Sequence, residues 1–166
     1  MEAILTRRSI RKYTDQPVSD DLVTGLLRAA MAAPSAQNQQ PWHFIVVRDR
    51  KLLEAISTAQ PYAGMARDAQ LAVVICGDLS LEKSPGLWAQ DCAAATENLL
   101  VAANAVGLGT VWSGTYPREE RVANVRALFG LPDHVVPFAI VPIGYPAEHP
   151  GPSDRFDPSR IHIDRW

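Results

Sequence analysis

The sequence lacks the features that mark secreted and membrane-spanning proteins. It has two cysteines, Cys76 and Cys92, which are too few for a disulfide framework and do not form a CxxC pair. Its apolar runs are short, such as Leu71 to Cys76, and none approaches the roughly 18 residues of a membrane helix. The first arginines follow a brief apolar stretch, which reverses the order found in signal peptides. We therefore expect a cytoplasmic protein, with no membrane partner, in which both thiols are buried.

An excess of charge of one sign is also missing. Sixteen Lys and Arg against eighteen Asp and Glu give a net charge of -2, so no global field draws the chain onto nucleic acid. The four histidines lack metal-ligand spacing, and no HExxH, GxSxG or P-loop motif occurs. We predict no metal site and no nucleic-acid partner. A length of 166 residues with 47% apolar content indicates one globular domain.

The hydrophobic pattern predicts alternating helices and strands. Helices are expected over 2–12, 21–33, 49–58, 88–106 and 117–129. Strands are expected over 42–47, 71–78, 110–114 and 135–145. Two prolines in the last strand favour a sheet edge or a bulge. The alanine-rich helix 88–106 is expected at the centre of the domain, at a subunit contact, or both, and the sheet is expected to be mixed with helices on its faces.

The C-terminal residues from 146 onward have four prolines and then the alternating segment IHID. Such a tail cannot form a core of its own, yet Ile161, Ile163 and Trp166 favour burial. We expect an arm that adds a strand to a sheet, in its own subunit or in a partner.

The segment RRSIRK concentrates Arg7, Arg8, Ser9, Arg11 and Lys12. On a helix, Arg7 and Arg11 would share a face. Several guanidinium groups and a hydroxyl at one point suit a phosphate monoester, because planar forks bind its oxygens bidentately. The alternatives are a solvated basic face or a weak nucleic-acid patch.

Two further segments suggest contacts to a flat, neutral ligand. PSAQNQQPW, residues 34 to 42, is a run of amide and hydroxyl groups pinned by prolines, which suits a hydrogen-bonding ligand or, equally, a polar surface loop. GLGTVWSGTYP, residues 107 to 117, is not a dinucleotide fingerprint, because Trp112 stands at its third glycine position and it leads from a helix into a strand. Its glycines could still let backbone approach a flat ring, or could only end the helix and enter the strand.

Taken in order, six segments resemble the FMN-dependent nitroreductase family in its short single-domain form. They are RRSIRKYTDQPVS, AAPSAQNQQPWHF, WAQDCAAATENLLVAA, GLGTVWSG, IGYP and RIHIDRW, and together they span essentially the whole chain. The resemblance implies a three-layer α+β fold with a mixed, mostly antiparallel sheet flanked by helices. It also implies a homodimer with two FMN sites at the interface. In this division, residues 1–150 form the FMN-binding domain and residues 151–166 form an arm that packs on the partner subunit.

The family's site carries over to three groups of residues. The phosphate and ribityl chain are expected at Arg7, Arg8, Ser9 and Arg11, with Arg160 of the tail as a second phosphate contact. The other subunit is expected to reach the flavin through Pro34, Ser35, Ala36, Asn38 and Gln40. The isoalloxazine ring is expected to lie against Val111, Trp112, Ser113 and Gly114.

The resemblance implies an oxidoreductase that passes electrons from NADH or NADPH through FMN to a nitroaromatic or a quinone. No side chain is needed as an obligatory acid or base, and donor and acceptor would share one pocket in a ping-pong cycle. The stretches 113–118 and 58–68 are short, which favours a broad reductase without a large lid. One alternative is a flavin store or sensor without reductase activity. Another is a small nucleic-acid-binding module that uses Arg7 to Lys12.

Overall fold

The computed structural model describes residues 1–151 and 153–166, and this part of the chain contains one five-stranded sheet. Its strands are β1 (Trp42–Val47), β2 (Leu71–Asp78), β3 (Gly109–Thr110), β4 (Ser113–Gly114) and β5 (Val135–Gly144). Their order is β1-β2-β5-β3, and β4 also pairs with β5. All four strand pairs are antiparallel, while an isolated bridge between Ser9 and Thr110 is parallel. The predicted α+β class and mostly antiparallel sheet are confirmed.

The two prolines of β5 shape the sheet in different ways. Pro137 lies at a register shift against β2, so the predicted bulge is confirmed. Pro142 faces the gap between β3 and β4, because Thr110 pairs with Ile143 and Ser113 pairs with Ile140. A proline has no N–H for a ladder bond, which explains why the predicted strand 110–114 is broken in two. The alternative of a sheet edge is wrong, because β5 has partners on both sides.

Five α-helices surround the sheet in the described residues, and periodicity predicted most of their extent. They are α1 (Glu2–Thr6), α2 (Asp20–Met31), α3 (Arg50–Ala59), α4 (Trp88–Ala105) and α5 (Glu119–Phe129). Ser19 caps α2 by accepting a hydrogen bond from Leu22 N. Helix α5 starts later than predicted because Arg118 is extended (φ -80°, ψ 104°). The segment Pro61–Asp68 forms 3-10 turns, where an irregular connector was predicted.

The core has two parts, one on each face of the sheet. Alternate residues of β2 point to opposite faces, so that Val73 and Ile75 join the cluster under α2 and α4, whereas Val74 and Cys76 join the cluster under α3 and α5. This arrangement is the expected three-layer fold, and α4 is the expected central helix. Cys76 and Cys92 are free and buried, as predicted.

The C-terminal tail has little structure of its own. Its described residues, 153–166, contain a single 3-10 turn and are mostly exposed. The side chains of Ile161, Ile163 and Trp166 are exposed, and none of these residues adds a strand to the chain's own sheet. None of the described helices combines the length and the apolar character that a bilayer crossing requires.

Candidate functional site

The basic segment is extended, not helical as predicted. Arg7 already has φ -59° and ψ 129°, which ends α1 at Thr6. Ile10 N donates to Thr110 O at 2.9 Å, which ties the segment to β3. The side chain of Ile10 fills the space beside Gly109, where an added Cβ would lie 2.7 Å from Ile10 Cγ2. The non-local pairing with β3 therefore outweighs the helical propensity of the segment.

The side chains of the basic segment point in different directions. Arg7 forms an ion pair with Glu97 on α4, with Nε and Oε1 3.4 Å apart. Arg8 lines a cavity of about 190 Å³ with Asn104, Gly109 and Glu148. Arg11 lines a separate groove of about 690 Å³ together with Lys12, Arg50 and Arg67. The four predicted phosphate-binding residues are thus adjacent in the chain, but Arg8 and Arg11 open onto different cavities.

Glu148 fixes the end of this segment. Its Oε1 accepts hydrogen bonds from the backbone N–H of Arg11 at 2.6 Å and of Lys12 at 3.1 Å. The bond from Arg11 is the largest cause that holds the pKa of Glu148 below its usual value, so this carboxylate is ionised at neutral pH. The basic segment is therefore fastened to β3 on one side and to the irregular segment 146–150 on the other.

The amide-rich loop is held by a buried carboxylate that sequence reasoning did not place in the site. Asp91 Oδ1 accepts from Ala36 N at 2.9 Å, and its Oδ2 accepts from Gln39 Nε2 at 2.6 Å. Gln39 is itself buried, and its Oε1 accepts from the N–H groups of Lys83 and Ser84. The sequence signal was a charged residue, Asp91, on the mostly apolar buried face of α4.

The loop residues assigned to the flavin form a tight, partly left-handed turn. Asn38 and Gln40 have φ values of 53° and 47°, and their side chains bond each other at 3.0 Å. Ser35 Oγ accepts from Gln40 N at 3.0 Å. Asn38, Gln40 and Pro34 are exposed, whereas Ser35 and Ala36 are half-buried. The loop thus presents amide groups at the surface from a rigid base.

The glycine-aromatic bend lies in the break between β3 and β4. Val111 and Ser113 are buried, and the Trp112 ring packs edge-on against Phe138 with centroids 5.6 Å apart. Gly114 O accepts from Gln60 Nε2 at 2.9 Å and from Arg121 Nη1 at 3.2 Å. Ser113 Oγ donates to Tyr62 O at 3.1 Å. Gln60, Tyr62 and Arg121 were not predicted, because only tertiary folding brings them to the bend.

Helix α1, which leads into the basic segment, and the amide loop are anchored near opposite ends of α4, while Arg7 itself pairs with Glu97 in the middle of that helix. The loop is tied to Asp91 near the start of α4, while Asn104 near its end donates to Ala3 O and Thr6 Oγ1. Thirteen residues separate Asp91 from Asn104, a distance of about 20 Å along the helix axis. Among the described residues, the basic segment is hydrogen-bonded to β3 beside the bend, and no side-chain hydrogen bond joins it to the amide loop.

The remaining predicted residue, Arg160, is exposed in the tail. Its Nε lies 3.0 Å from Asp157 Oδ2, and it contacts none of the other predicted site residues through the recorded ion pairs and hydrogen bonds. Within residues 1–151 and 153–166, no group of three or more His, Cys, Asp or Glu side chains could hold a metal ion.

Sequence and structure comparisons with known proteins point to the same family. The profile described as "Nitroreductase family" matches residues 4–65 and 57–145. A protein of Methanothermobacter thermautotrophicus, provisionally named an NADH dehydrogenase/NAD(P)H nitroreductase, is 55% identical over 166 residues, which is 100% of this chain and 87% of that protein.

Two crystal structures have the same fold. A provisionally named NADH oxidase of Clostridium acetobutylicum has a TM-score of 0.96 and 44% identity, covering 99% of both chains. A provisionally named nitroreductase of Desulfovibrio desulfuricans in complex with FMN has a TM-score of 0.86 and 30% identity, covering 99% of this chain and 96% of that one. The profile match spans most of the chain, and the fold and the ordered site segments agree with it: this chain belongs to the nitroreductase family.

Proposed function

We propose that the chain is an FMN-dependent NAD(P)H oxidoreductase. Its relatives carry names for NAD(P)H-dependent reduction, and one structural neighbour is a complex with FMN. The observation that carries the proposal for this chain is the hydrogen bond that fastens the basic segment to Thr110, directly before the glycine-aromatic bend. In this proposal the basic segment binds the phosphate and the neighbouring bend binds the ring.

The donor groups of the basic segment fit a phosphate monoester. Arg8 supplies a guanidinium fork at the cavity beside Gly109, and Ser9 supplies a hydroxyl next to it in the chain. In this proposal the side chains of Arg7 and Arg11 turn toward the same dianion when it binds, and Arg7 gives up its ion pair with Glu97. Thr110 and Glu148 hold the backbone in place, so that only side chains have to reorient. In this proposal Arg160 reaches the phosphate from the tail after exchanging its bond to Asp157.

The bend fits the edge of a flat heterocycle. The carbonyl of Gly114 bonds to Gln60 and Arg121, so it points away from β5. In an antiparallel strand, the N–H and C=O of one residue point to the same side. The N–H of Gly114 is therefore expected on the free edge of β4, where it can donate to a ring nitrogen or carbonyl. Val111, Trp112 and Ser113 complete the wall beside it.

The proposal includes a homodimer in which each site is completed by residues of both chains. An antiparallel pairing of α4 with its copy would place the amide loop of one subunit against the basic segment of the other. The exposed surface along α4 suits such a contact, since Ala29, Ala32, Val101, Ala102 and Ala105 line an apolar groove with Ile4. The tail, residues 151–166, carries the exposed side chains of Ile161, Ile163 and Trp166 and is expected to pack on the partner as an arm.

The residues of the site bind and orient the reactants. When bound, FMN supplies two-electron storage between donor and acceptor. With a quinone acceptor, NAD(P)H and one proton yield NAD(P)⁺ and the hydroquinone, and no bond to a side chain forms. We propose that donor and acceptor occupy the same pocket in turn. Double-reciprocal plots at several acceptor concentrations should then be parallel.

A visible absorption spectrum of the purified protein tests the proposal. We expect a two-band flavin spectrum, about one FMN per chain by mass of the released chromophore, and rapid anaerobic bleaching on addition of NADH or NADPH. A flavin that does not bleach would favour a store or sensor. A colourless protein that fails to take up added FMN would overturn the proposal.

A further inference from the structure

Tyr62 is fixed to the bend through its backbone. Gln60 is fully buried, and its Oε1 accepts from Tyr62 N at 2.8 Å while its Nε2 donates to Gly114 O. The Ser113 hydroxyl donates to Tyr62 O. Both polar backbone groups of Tyr62 are thus tied to the network around Ser113 and Gly114. The position of Tyr62 is consequently coupled to that of the bend, although the residue is 66% exposed.

The guanidinium group of Arg121 lies over the ring of Tyr62. The guanidinium carbon of Arg121 lies 4.6 Å from the centroid of the Tyr62 ring. Its Nη1 donates to Gly114 O at 3.2 Å, which leaves other N–H donors of the fork available. No carboxylate of residues 1–151 or 153–166 lies within 4.0 Å of this guanidinium. Its positive charge is therefore not neutralised by a direct ion pair.

We propose that Tyr62 and Arg121 form the specificity surface for the electron acceptor, and that this surface favours planar aromatic acceptors that carry a carboxylate. This inference rests on the proposed function, because it places the acceptor beside the ring-binding bend. The Tyr62 face supplies apolar contact to an aromatic ring. The free edge of the Arg121 fork supplies charge-assisted hydrogen bonds, for which a carboxylate has the matching geometry. Arg121 is a specificity-determining residue in this account and takes no part in electron transfer.

The test uses the FMN-loaded protein, NADH, and a matched pair of acceptors, 4-nitrobenzoate and the neutral 4-nitrobenzamide. For Arg121→Gln we expect the ratio of kcat/KM for nitrobenzoate to that for nitrobenzamide to fall by about tenfold, the size expected for one charge-assisted hydrogen bond. The change should lie mainly in KM for nitrobenzoate. Arg121→Lys keeps the charge without the fork and should restore part of the ratio. Tyr62→Ala should raise KM for both acceptors.

The control is Arg28→Gln, which removes the same charge from an exposed position on α2 and should leave the ratio unchanged. Flavin content and thermal unfolding of each variant report whether the site is intact. Equal loss with both acceptors in a fully loaded Arg121→Gln protein would overturn this inference and leave the proposed function standing. Wild-type protein that binds FMN but whose flavin is bleached by neither NADH nor NADPH would overturn both.

Discussion

At the scale of single residues, Asp91 is the side chain on which the amide loop depends most. It is a buried carboxylate that accepts from Ala36 N and from Gln39 Nε2. Gln39 cannot exchange the positions of its amide oxygen and nitrogen without losing hydrogen bonds, because its Oε1 already accepts from two backbone N–H groups. If the group in place of Asp91 Oδ2 cannot accept a hydrogen bond, the buried Nε2 of Gln39 is left without a partner.

We expect Asp91→Asn to lower the free energy of unfolding by about 1–3 kcal/mol, because its amide would face the amide of Gln39. The variant should also bind FMN more weakly, since the loop loses its anchor. Chemical denaturation and flavin titration measure the two effects. Asp133→Asn, at an exposed loop position, is the matched control and should change neither. Unchanged stability of Asp91→Asn would show that the loop is held by other contacts.

The two thiols give a second prediction at this scale. Burial raises the pKa of Cys76 to about 12, and burial likewise raises the pKa of Cys92. Only the thiolate reacts with disulfide reagents, so both residues should stay unmodified at pH 8 in the folded protein. Labelling should reach two thiols per chain only after unfolding in guanidinium. Fast labelling of the folded protein would contradict the burial of the two thiols.

Much of the candidate site could be found from the sequence, because its segments are continuous and chemically distinctive. The basic residues, the amide loop and the glycine-aromatic bend each lie within one short stretch. Gln60, Tyr62 and Arg121 could not be found in the same way. They are distant in sequence from Gly114, carry no motif, and reach it only when α3, the 3-10 turns and α5 pack around the bend.

At the scale of secondary-structure elements, local patterns predicted what local forces decide. Periodic apolar residues found α2, α3 and α4, and a continuous apolar run found β2. The failures have a non-local cause. The basic segment is extended where a helix was predicted, because Ile10 pairs with Thr110. The predicted strand 110–114 is broken because Pro142, which is distant in sequence, faces the gap.

Two glycines give a prediction about how the elements pack. An alanine at Gly77 would place its Cβ 2.2 Å from Trp88 Cε3, so β2 and α4 would have to separate. We expect Gly77→Ala to cost about 1–3 kcal/mol of unfolding free energy. Gly25 lies inside α2 with nothing within 4 Å of an added Cβ. Gly25→Ala should stabilise by about 0.5–1 kcal/mol, because alanine has the higher helix propensity. Urea denaturation of both variants checks the opposite signs.

At the scale of the whole molecule, the central helix separates the two halves of the predicted site. Helix α1, directly before the basic segment, is anchored at Asn104, and the amide loop is anchored at Asp91, about 20 Å away along α4. In the proposed dimer, a second copy of the chain would bring the two parts together and cover the apolar groove along α4. It would also give the exposed residues Ile161, Ile163 and Trp166 a surface to contact. The central claim is therefore that each flavin site is built from two chains.

Mixing two defective chains tests that claim most directly. Arg8→Glu should disable the basic segment, Asp91→Asn should disable the amide loop, and each variant alone should bind little FMN. In a dimer with one chain of each kind, one site receives both intact parts. A mixture of equal amounts, co-expressed with different affinity tags, should therefore recover bound flavin in about a quarter of the sites. If tagged mixed dimers form but recover no flavin, the site lies within one chain and the account is wrong.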